Sequence, residues 1–444
     1  MAREMKDSGI EWIGEIPKKW LVKKIKHGFT IFAGATPKSE KSEYWNGEIS
    51  WITPADYKTE DKYVYTGRKN ISMEGYKSCG TTIVPKGSVI FSKRAPVGTV
   101  AISGNELCTN QGCLACVPLS MADSIYYYYA ISAFTEQFEL VSSGTTFKEI
   151  SANAFANFSL PFPIYEEQIK ISSYLDKKCV ELDNVLDKTR ASIEEYKKLK
   201  QAVITQAVTK GVRGNREMKD SGIEWIGEIP VDWNLIKITQ LLDYNHPYPI
   251  GDGDHGMIKT DDYIDTGIPY IRVQNLGWGT ELNYDNMVYI SEDRNQMIAN
   301  SILKPNDILF AKTGATIGKT AIIPDSMSAS NTTSHIGKIT VSPNYNPKYI
   351  FYVMSSYLVY RQFWEMAGLK STRPELSIDE IKKVRLIVPS RTEEQEEIAR
   401  YLDEKCSAID ELIAKKEQYL SEIENYKKSL IYEYVTGKKE VPQE

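Results

Sequence analysis

Apolar residues recur every three or four positions along two long stretches of the chain. The first stripe covers residues 171–203 and includes Leu199, and the second covers residues 398–430 and includes Tyr426. This spacing predicts two α-helices of about 40 residues each, roughly 60 Å long at 1.5 Å per residue. Because a narrow apolar stripe needs a partner stripe, we expect the two helices to pair antiparallel within the chain. A coiled coil between two copies of the chain is the alternative.

An identical segment occurs twice in the chain. Residues 3–17 and residues 216–230 both read REMKDSGIEWIGEIP, and Trp20 recurs as Trp233 after the second copy. Apolar and small or polar residues alternate in this segment, which predicts a strand or turn that anchors on the end of a long helix. A recent duplication without a structural role is the alternative interpretation.

The helical stretches are also repeated. Residues 174–179 resemble residues 401–406, whereas the YKK sequences at 196–198 and 426–428 match only after a small gap. The chain therefore has the order module, helix, module, helix.

The two modules are expected to be β-rich. Short apolar stretches punctuated by glycine, proline and asparagine predict strands, and residues 126–142 and 349–367 each predict one amphipathic helix rich in aromatic residues. The expected fold class is α+β, with two β-rich modules separated by two long antiparallel helices in a pseudo-two-fold arrangement. The four predicted segments are 1–160, 161–213, 214–388 and 389–444.

The modules share a skeleton but differ in their polar clusters. Residues 49–53 align with 268–272, so that Trp51 and Tyr270 both point inward along their strands and are expected in the core. Two copies of one skeleton with different surfaces suggest one task performed on two targets, and a split site on duplex DNA fits this organisation.

The polar clusters at the predicted loop tips contain the residue types that read base edges. Arginine and lysine address guanine, asparagine and glutamine address adenine, and serine and threonine are adaptable. For any single residue, a role in shaping its loop is the alternative. The candidate DNA-contacting residues are Lys93, Arg94, Asn110, Gln111, Thr145, Thr146, Lys148, Arg272, Gln274, Asn275, Lys312, Thr313, Asn331, Thr332, Lys370, Thr372 and Arg373.

The overall charge opposes binding of nucleic acid by bulk attraction. The net charge is −5 and the sequence pI is about 5.7, whereas such domains usually exceed pI 9. Basic side chains must therefore be concentrated on one face, with partners neutralising further phosphates. No apolar run is long enough to span a membrane, and residues 1–7 do not have the apolar core of a signal peptide, so a cytosolic protein is expected.

The cysteines favour buried thiols. Cys179 and Cys406 occupy matching places in the helix repeat and are expected in the core. A zinc site is the alternative for the remaining group, and its ligands would be Cys79, Cys108, Cys113 and Cys116.

Three short motifs resemble the sequence signatures of cofactor or catalytic sites but do not meet their requirements. Residues 314–320, GATIGKT, have three residues between the glycines where a phosphate-binding loop has four, and they precede a predicted strand. Residues 251–256 match a dinucleotide fingerprint by letter but carry two aspartates, which predicts a turn or a DNA-contacting loop. Residues 346–349, NPKY, are expected to begin a helix. No catalytic or metal-binding residues are predicted.

The order of motifs in both modules resembles the specificity subunit of Type I restriction-modification enzymes. The resemblance extends over roughly residues 10–437. The motifs that carry it are 34–37 (GATP), 44–56 (YWNGEISWITPAD), 94–98 (RAPVG), 109–112 (TNQG), 267–275 (GIPYIRVQN) and 306–310 (NDILF). In the second module, residues 313–315 read TGA where the first has RAP at 94–96, which leaves equivalent contacts there in doubt.

The resemblance implies two target recognition domains that read the halves of a split, asymmetric target. It also implies that the long helices bind two modification (methyltransferase) subunits and that restriction (translocase-nuclease) subunits join the complex. S-adenosylmethionine, ATP and magnesium are then expected on those partners, with no cofactor in this chain. The alternatives are a specificity-like subunit of another DNA modification or phage-defence complex, or a coiled-coil scaffold with β-rich heads.

Overall fold

The computed structural model describes residues 3–142, 148–279, 282–327, 329–368 and 374–442. The chain forms two compact units, which divide both long helices between them. The first unit contains Met1–Arg190 and Gln418–Glu444, and the second contains Ala191–Glu417.

The first unit is built around a five-stranded sheet. Its strands are β1 (Met5–Asp7), β2 (Glu15–Pro17), β3 (Leu21–Lys24), β4 (Phe29–Ala33), β5 (Trp45–Ile52), β6 (Tyr63–Val64), β7 (Lys69–Ile71), β8 (Val89–Ser92), β9 (Val100–Ser103), β10 (Cys108–Thr109), β11 (Cys113–Pro118) and β12 (Ser159–Phe162). The large sheet has the order β4-β11-β8-β9-β6, beside a three-stranded sheet β10-β5-β7 and the pairs β1-β2 and β12-β3. Its helices are α1 (Met73–Lys77), α2 (Ser124–Ser132), α3 (Thr135–Leu140), α4 (Ala152–Asn157) and the first half of α5 (Tyr165–Lys210).

The second unit repeats this plan with a four-stranded sheet. Its strands are β13 (Met218–Asp220), β14 (Glu228–Pro230), β15 (Trp233–Lys237), β16 (Ile250–Asp252), β17 (Ile268–Ile271), β18 (Val288–Ile290), β19 (Ile308–Ala311), β20 (Thr320–Ile322), β21 (Asn331–Thr332), β22 (Ile336–Ile339) and β23 (Arg385–Pro389). The sheets have the orders β16-β22-β19-β20, β18-β17-β21, β13-β14 and β15-β23. The helices are α6 (Glu292–Met297), α7 (Pro347–Met354), α8 (Tyr357–Ala367), α9 (Ile378–Ile381) and α10 (Thr392–Val435), of which the first part belongs to this unit.

The fold class expected from the sequence is confirmed, with one difference in each module. The single helix predicted at 126–142 is two helices, α2 and α3, and the one predicted at 349–367 is also two, α7 and α8. In the second unit the break falls at two serines: the hydroxyls of Ser355 and Ser356 donate to carbonyls of the preceding turn at 2.7 and 2.6 Å. Serine side chains that bond the backbone in this way compete with helix propagation.

The long helices pair antiparallel inside each unit. In the first unit the Lys427 ammonium lies 2.6 Å from Asp183, and Arg190 lies 2.8 Å from Glu424, so rising numbers on α5 meet falling numbers on α10. The partner stripe is thus supplied by the same chain, which favours the intrachain pair over a coiled coil between copies. Cys179 and Cys406 are buried in this packing, as the sequence predicted.

The helix repeat needs no gap, contrary to the expectation from the YKK sequences. Lys200 of α5 contacts Asp410 at 2.6 Å in the second unit, just as Lys427 contacts Asp183 in the first. Asp183 and Lys200 have the same separation along α5 as Asp410 and Lys427 along α10, so the two helices correspond position by position.

Two residues assigned to the apolar stripes lie outside them. Leu199 is 47% exposed and Tyr426 is 53% exposed, whereas the neighbouring Lys200 is buried. The three-four spacing continues at several nearby positions in this part of the sequence, and only the facing helix decides which of them is covered.

The identical segments anchor the helix ends in both units. The Trp20 indole donates to Glu167 at the start of α5 at 2.7 Å, and Arg3 forms an ion pair with the same carboxylate. Tyr432 near the end of α10 donates its hydroxyl to the carbonyl of Trp12 at 3.0 Å. The first copy therefore contacts both the beginning of α5 and the end of α10.

The second copy also contacts the ends of both long helices in its own unit. Arg216 forms an ion pair with Glu394 at the start of α10, and Trp233 packs with Ile204 and Val208 near the end of α5. Both repeated segments therefore contact helix ends, which a duplication without a structural role does not explain.

Candidate nucleic-acid interface

Three strands of the first unit end or begin at one edge of the large sheet. Strand β11 pairs antiparallel with β8 and with β4, so that Cys113 lies opposite Ser92 and Leu114 opposite Ala33. The ends of β4 and β8 therefore meet the beginning of β11. The residues just beyond this edge form the first tip, which consists of Thr36, Lys93, Arg94, Asn110, Gln111, Lys148 and Glu149.

A carboxylate organises the basic residues of the first tip. Glu149 accepts one hydrogen bond from the Lys93 ammonium and another from Nε of Arg94, both at 2.8 Å. Lys93 and, to a smaller extent, Arg94 hold the pKa of Glu149 below its usual value. The Lys93 side chain is largely covered, whereas that of Arg94 is 47% exposed. The Arg94 guanidinium is thus held by Glu149, while the side chain stays partly exposed to solvent.

The remaining residues of the first tip divide into turn-forming and exposed side chains. The Asn110 side-chain oxygen accepts the Gly112 amide at 2.8 Å and so shapes the turn before β11. Gln111 is exposed and accepts a hydrogen bond from the Thr36 hydroxyl. Lys148 is also exposed.

The second unit repeats the lysine–glutamate pair at the corresponding sheet edge. Lys312 follows β19 as Lys93 follows β8, and its ammonium lies 3.1 Å from both Glu375 and Asp252. The backbone is repeated too: the amide of Leu376 donates to the Lys312 carbonyl at 2.9 Å, as that of Ile150 donates to Lys93 at 3.0 Å. The second tip consists of Asp252, His255, Lys312, Thr313 and Glu375.

The exposed chemistry of the two tips differs. Thr313 stands where the first tip has Arg94, and its hydroxyl is hydrogen-bonded with Nδ1 of His335 at 3.2 Å. Asp252, at the end of β16, stands where β4 has an alanine, and it also lies 3.1 Å from His255. The first tip therefore has an excess of cations, whereas the second places two carboxylates around a covered lysine.

Arg272, Gln274 and Asn275 lie on a short turn after β17 in the second unit. The Asn275 side chain is buried, accepts the Arg272 amide at 2.9 Å and donates to the Asn283 carbonyl at 2.9 Å. Arg272 is half-buried, with its guanidinium 5.7 Å from the Tyr263 ring centre. Gln274 is exposed. Asn275 thus holds the turn that presents the other two residues.

Asn331 and Thr332 have internal partners and no exposed surface. The Asn331 amide donates to the Asn295 side chain at 2.8 Å, and the Thr332 hydroxyl donates to the Ile271 carbonyl at 3.1 Å. Asn331 and Thr332 do not correspond to Asn110 and Gln111 of the first unit. The pairing of β21 with β17 aligns Asn331 with Cys108, because Cys108 pairs with β5 in the same way.

The other candidates lie outside the described residues. They are Thr145, Thr146, Lys370, Thr372 and Arg373. In the sequence, 143–147 directly precede Lys148, and 369–373 directly precede Pro374. The DNA-contact assignment of all seventeen candidates stays a prediction. Burial makes Asn275, Lys312, Thr313, Asn331 and Thr332 parts of the framework in the structure, a distinction that the residue types could not reveal.

The cysteines of the first unit are buried or partly buried as free thiols. Burial raises the pKa of Cys108 and that of Cys113 to about 12, and Cys113 is hydrogen-bonded with the Tyr57 hydroxyl at 3.6 Å. Within the described part of the chain, no group of three or more histidine, cysteine, aspartate or glutamate residues is placed to hold a metal ion. In the same part, none of the helices has the length and apolar character needed to cross a membrane.

The motif-like segments behave as the sequence predicted. Residues 251–256 end β16 and turn, and residues 314–320 lead through a 3-10 turn into strand β20. Asn346 caps helix α7 by accepting the Tyr349 amide at 2.9 Å. Trp51 and Tyr270 are buried on their strands. The two glutamates of the tips were missed as site residues, although Glu149 directly follows one polar loop and Glu375 follows the other after a single proline.

Comparison with known proteins matches each unit to the same family. The model of the Type I restriction modification DNA specificity domain matches residues 17–195 and again residues 230–425. These two matches together span most of the chain.

The chain also resembles individual members of this family. It is 28% identical to the Type I restriction enzyme MjaIX specificity subunit of Methanocaldococcus jannaschii over 85% of this chain and 84% of that protein. It is 25% identical to the MjaVIII specificity subunit of the same organism over 71% of this chain and 70% of that protein.

A solved structure shares the fold. It comes from work on complex assembly and conformational transition of the Type I restriction-modification system, covers 95% of this chain and 98% of its own, and has a TM-score of 0.69 at 13% identity. The double family match, the relatives and the duplicated tips agree, and the chain therefore belongs to the family of Type I restriction-modification DNA specificity subunits, whose task is DNA sequence recognition.

Proposed function

We propose that the chain reads a split, asymmetric site on double-stranded DNA, with one half read by each tip. The observation that carries this proposal is the repetition of one framework with different exposed groups. The Lys93–Glu149 pair recurs as Lys312–Glu375, whereas the exposed Arg94 is replaced by a covered threonine. The same lysine–glutamate framework with different exposed side chains in the two units fits two half-sites of different sequence.

The complete complex would include two modification (methyltransferase) subunits and restriction (translocase-nuclease) subunits. Adenine methylation with S-adenosylmethionine, and ATP- and magnesium-dependent restriction, would belong to those partners, in the cytoplasm. The net charge of −5 supports a division of labour, because this chain carries too little positive charge to neutralise a long duplex alone.

Each long helix presents side chains on its outer face that such subunits could cover. Val180 on α5 is 60% exposed and Leu412 on α10 is 42% exposed, although both belong to otherwise well-packed helices. Replacing either by aspartate should reduce methylation while leaving the tips folded, because a charge would be placed in an apolar contact. Unchanged methylation in both variants would argue against docking at these positions.

The decisive experiment maps N6-methyladenine in a genome with the gene, without it, and with a copy interrupted by a stop codon. Two short motifs at a fixed separation should be methylated only with the intact gene. Methylation of a single contiguous motif, or of two motifs that vary independently, would overturn the split-site proposal. A scaffold without a DNA role, which is one of the two alternatives from the sequence, would leave the methylation pattern unchanged and is not favoured by the family match.

A further inference from the structure

The guanidinium of Arg94 is fixed in orientation by hydrogen bonding that uses only part of its donor groups. Its Nε donates to Glu149 at 2.8 Å, and the neighbouring Lys93 ammonium holds the other oxygen of the same carboxylate. In the described part of the chain, neither Nη1 nor Nη2 of Arg94 has a hydrogen-bond partner. The two terminal nitrogens of the planar guanidinium therefore remain as a pair of parallel hydrogen-bond donors, here called the fork.

The backbone also restrains this side chain. Arg94 forms an isolated antiparallel bridge with Glu149, and the amide of Ile150 donates to the Lys93 carbonyl at 3.0 Å. The carboxylate that grips the guanidinium is therefore positioned by the same strand contact that positions the arginine. A restrained arginine loses little conformational entropy on binding, which favours recognition of one planar partner.

Two parallel N–H donors match the O6 and N7 acceptors of guanine in the major groove. This is the most frequent specific contact between arginine and a base, and no other base presents two acceptors there. A phosphate group would also accept this fork, but it would give no preference for sequence.

We propose that Arg94 reads a guanine in the half-site of the first unit, with Glu149 as its positioning residue, and that Thr313, at the corresponding position of the second unit, has no equivalent role. The second part follows from Thr313, which occupies the corresponding place, is 9% exposed and is hydrogen-bonded with His335. This inference rests on the proposed function, because it needs a split site.

The test begins with the methylated motif of the wild-type complex. Failure to find a split motif would refute the proposed function itself. If the split motif appears, one half-site should contain an invariant guanine–cytosine pair, and the Arg94→Gln variant should relax the requirement at that pair alone. Retention of every guanine requirement in Arg94→Gln would overturn the inference while leaving the split-site function intact.

A binding experiment then separates base reading from phosphate contact. The full complex of this chain with its partner subunits is titrated with duplexes in which 7-deazaguanine, which has no N7 acceptor, replaces one guanine at a time. One replacement in the first half-site should weaken wild-type binding roughly 5- to 150-fold, and should have no further effect on the Arg94→Gln complex. If no replacement weakens wild-type binding, the inference is wrong.

The conservative variant Arg94→Lys gives the sharpest distinction. Lysine retains the charge but not the planar fork, so discrimination against the 7-deaza duplex should shrink while binding to unrelated DNA stays near the wild-type value. A phosphate contact predicts the opposite for Arg94→Gln, which would then lose affinity equally for all duplexes and show a smaller dependence on salt.

Arg294→Gln is the matched control. Arg294 lies in the second unit, is 40% exposed and pairs with Asp262 at 2.7 Å, so it has a similar environment without a place at the first tip. The first half-site should be read unchanged in this variant. Loss of the same guanine requirement in Arg294→Gln would show that the effect of Arg94→Gln is not specific to the first tip, and would overturn the assignment.

Discussion

The ion pair between Lys200 and Asp410 provides the sharpest test of helix pairing. Its charged atoms are 2.6 Å apart, and the lysine side chain is only 5% exposed while that of the aspartate is 39% exposed. The substitution Asp410→Asn leaves a covered ammonium without its carboxylate. Removing one partner of a fully buried pair destabilises by about 3–5 kcal/mol, and the partial exposure of Asp410 reduces our expectation to about 2 kcal/mol.

The corresponding pair in the first unit is an internal control. Lys427 and Asp183 are also 2.6 Å apart, but their side chains are 27% and 50% exposed. Solvent screens this pair, so Asp183→Asn should destabilise by about 1 kcal/mol or less. The two variants make the same chemical change at equivalent positions and differ mainly in burial.

Hydrogen–deuterium exchange followed by mass spectrometry measures each helix segment separately. This suits a protein of two units, for which a single unfolding transition cannot be assumed. Asp410→Asn should accelerate exchange in residues 191–210 and 392–417 about 30-fold, the factor that corresponds to about 2 kcal/mol. Adding Lys200→Met, which removes the stranded charge, should restore most of the protection. Equal acceleration in Asp183→Asn and Asp410→Asn, or no recovery in the double variant, would refute the reasoning.

Three further predictions concern buried groups and the first tip. The Gln395 side chain donates to the Pro389 carbonyl and accepts the Asn346 amide at 2.9 Å. The substitution Gln395→Leu removes both hydrogen bonds and should destabilise the second unit by about 2–3 kcal/mol in urea titrations. A loss of stability well below 1 kcal/mol would contradict this role. Of the six cysteines, Cys79 should react first with a thiol reagent in the native protein, because the others are buried, and all six should react in denaturant; rapid native labelling of more than one thiol would show otherwise. The pKa of Glu149 is lowered below 4.5, so its contribution to the stability of the fold is complete above that pH and is lost as the pH falls through the lowered pKa. The difference in unfolding free energy between wild type and Glu149→Gln should therefore shrink in that range. A difference that grows on acidification would contradict the argument.

Much of the architecture could be predicted from local sequence because periodicity and repetition are local signals. The long helices, their antiparallel pairing and the anchoring role of residues 3–17 all follow from patterns visible along the chain. The breaks within the predicted helices were harder to predict from the sequence. In the second unit, Ser355 and Ser356 interrupt an apolar pattern that continues on both sides of them.

The sequence by itself determined that two related modules and two matched helices exist, and which residue types occur at their loops. Only the tertiary structure decided which of those polar residues face outward. Asn331 and Arg94 are both polar, yet Asn331 is enclosed by Asn295 and the backbone, whereas Arg94 is held at Nε and its side chain is 47% exposed. The physical reason is that an amide or guanidinium satisfies a protein carbonyl as readily as a base edge, and the choice depends on which partner the folded chain brings within hydrogen-bonding distance.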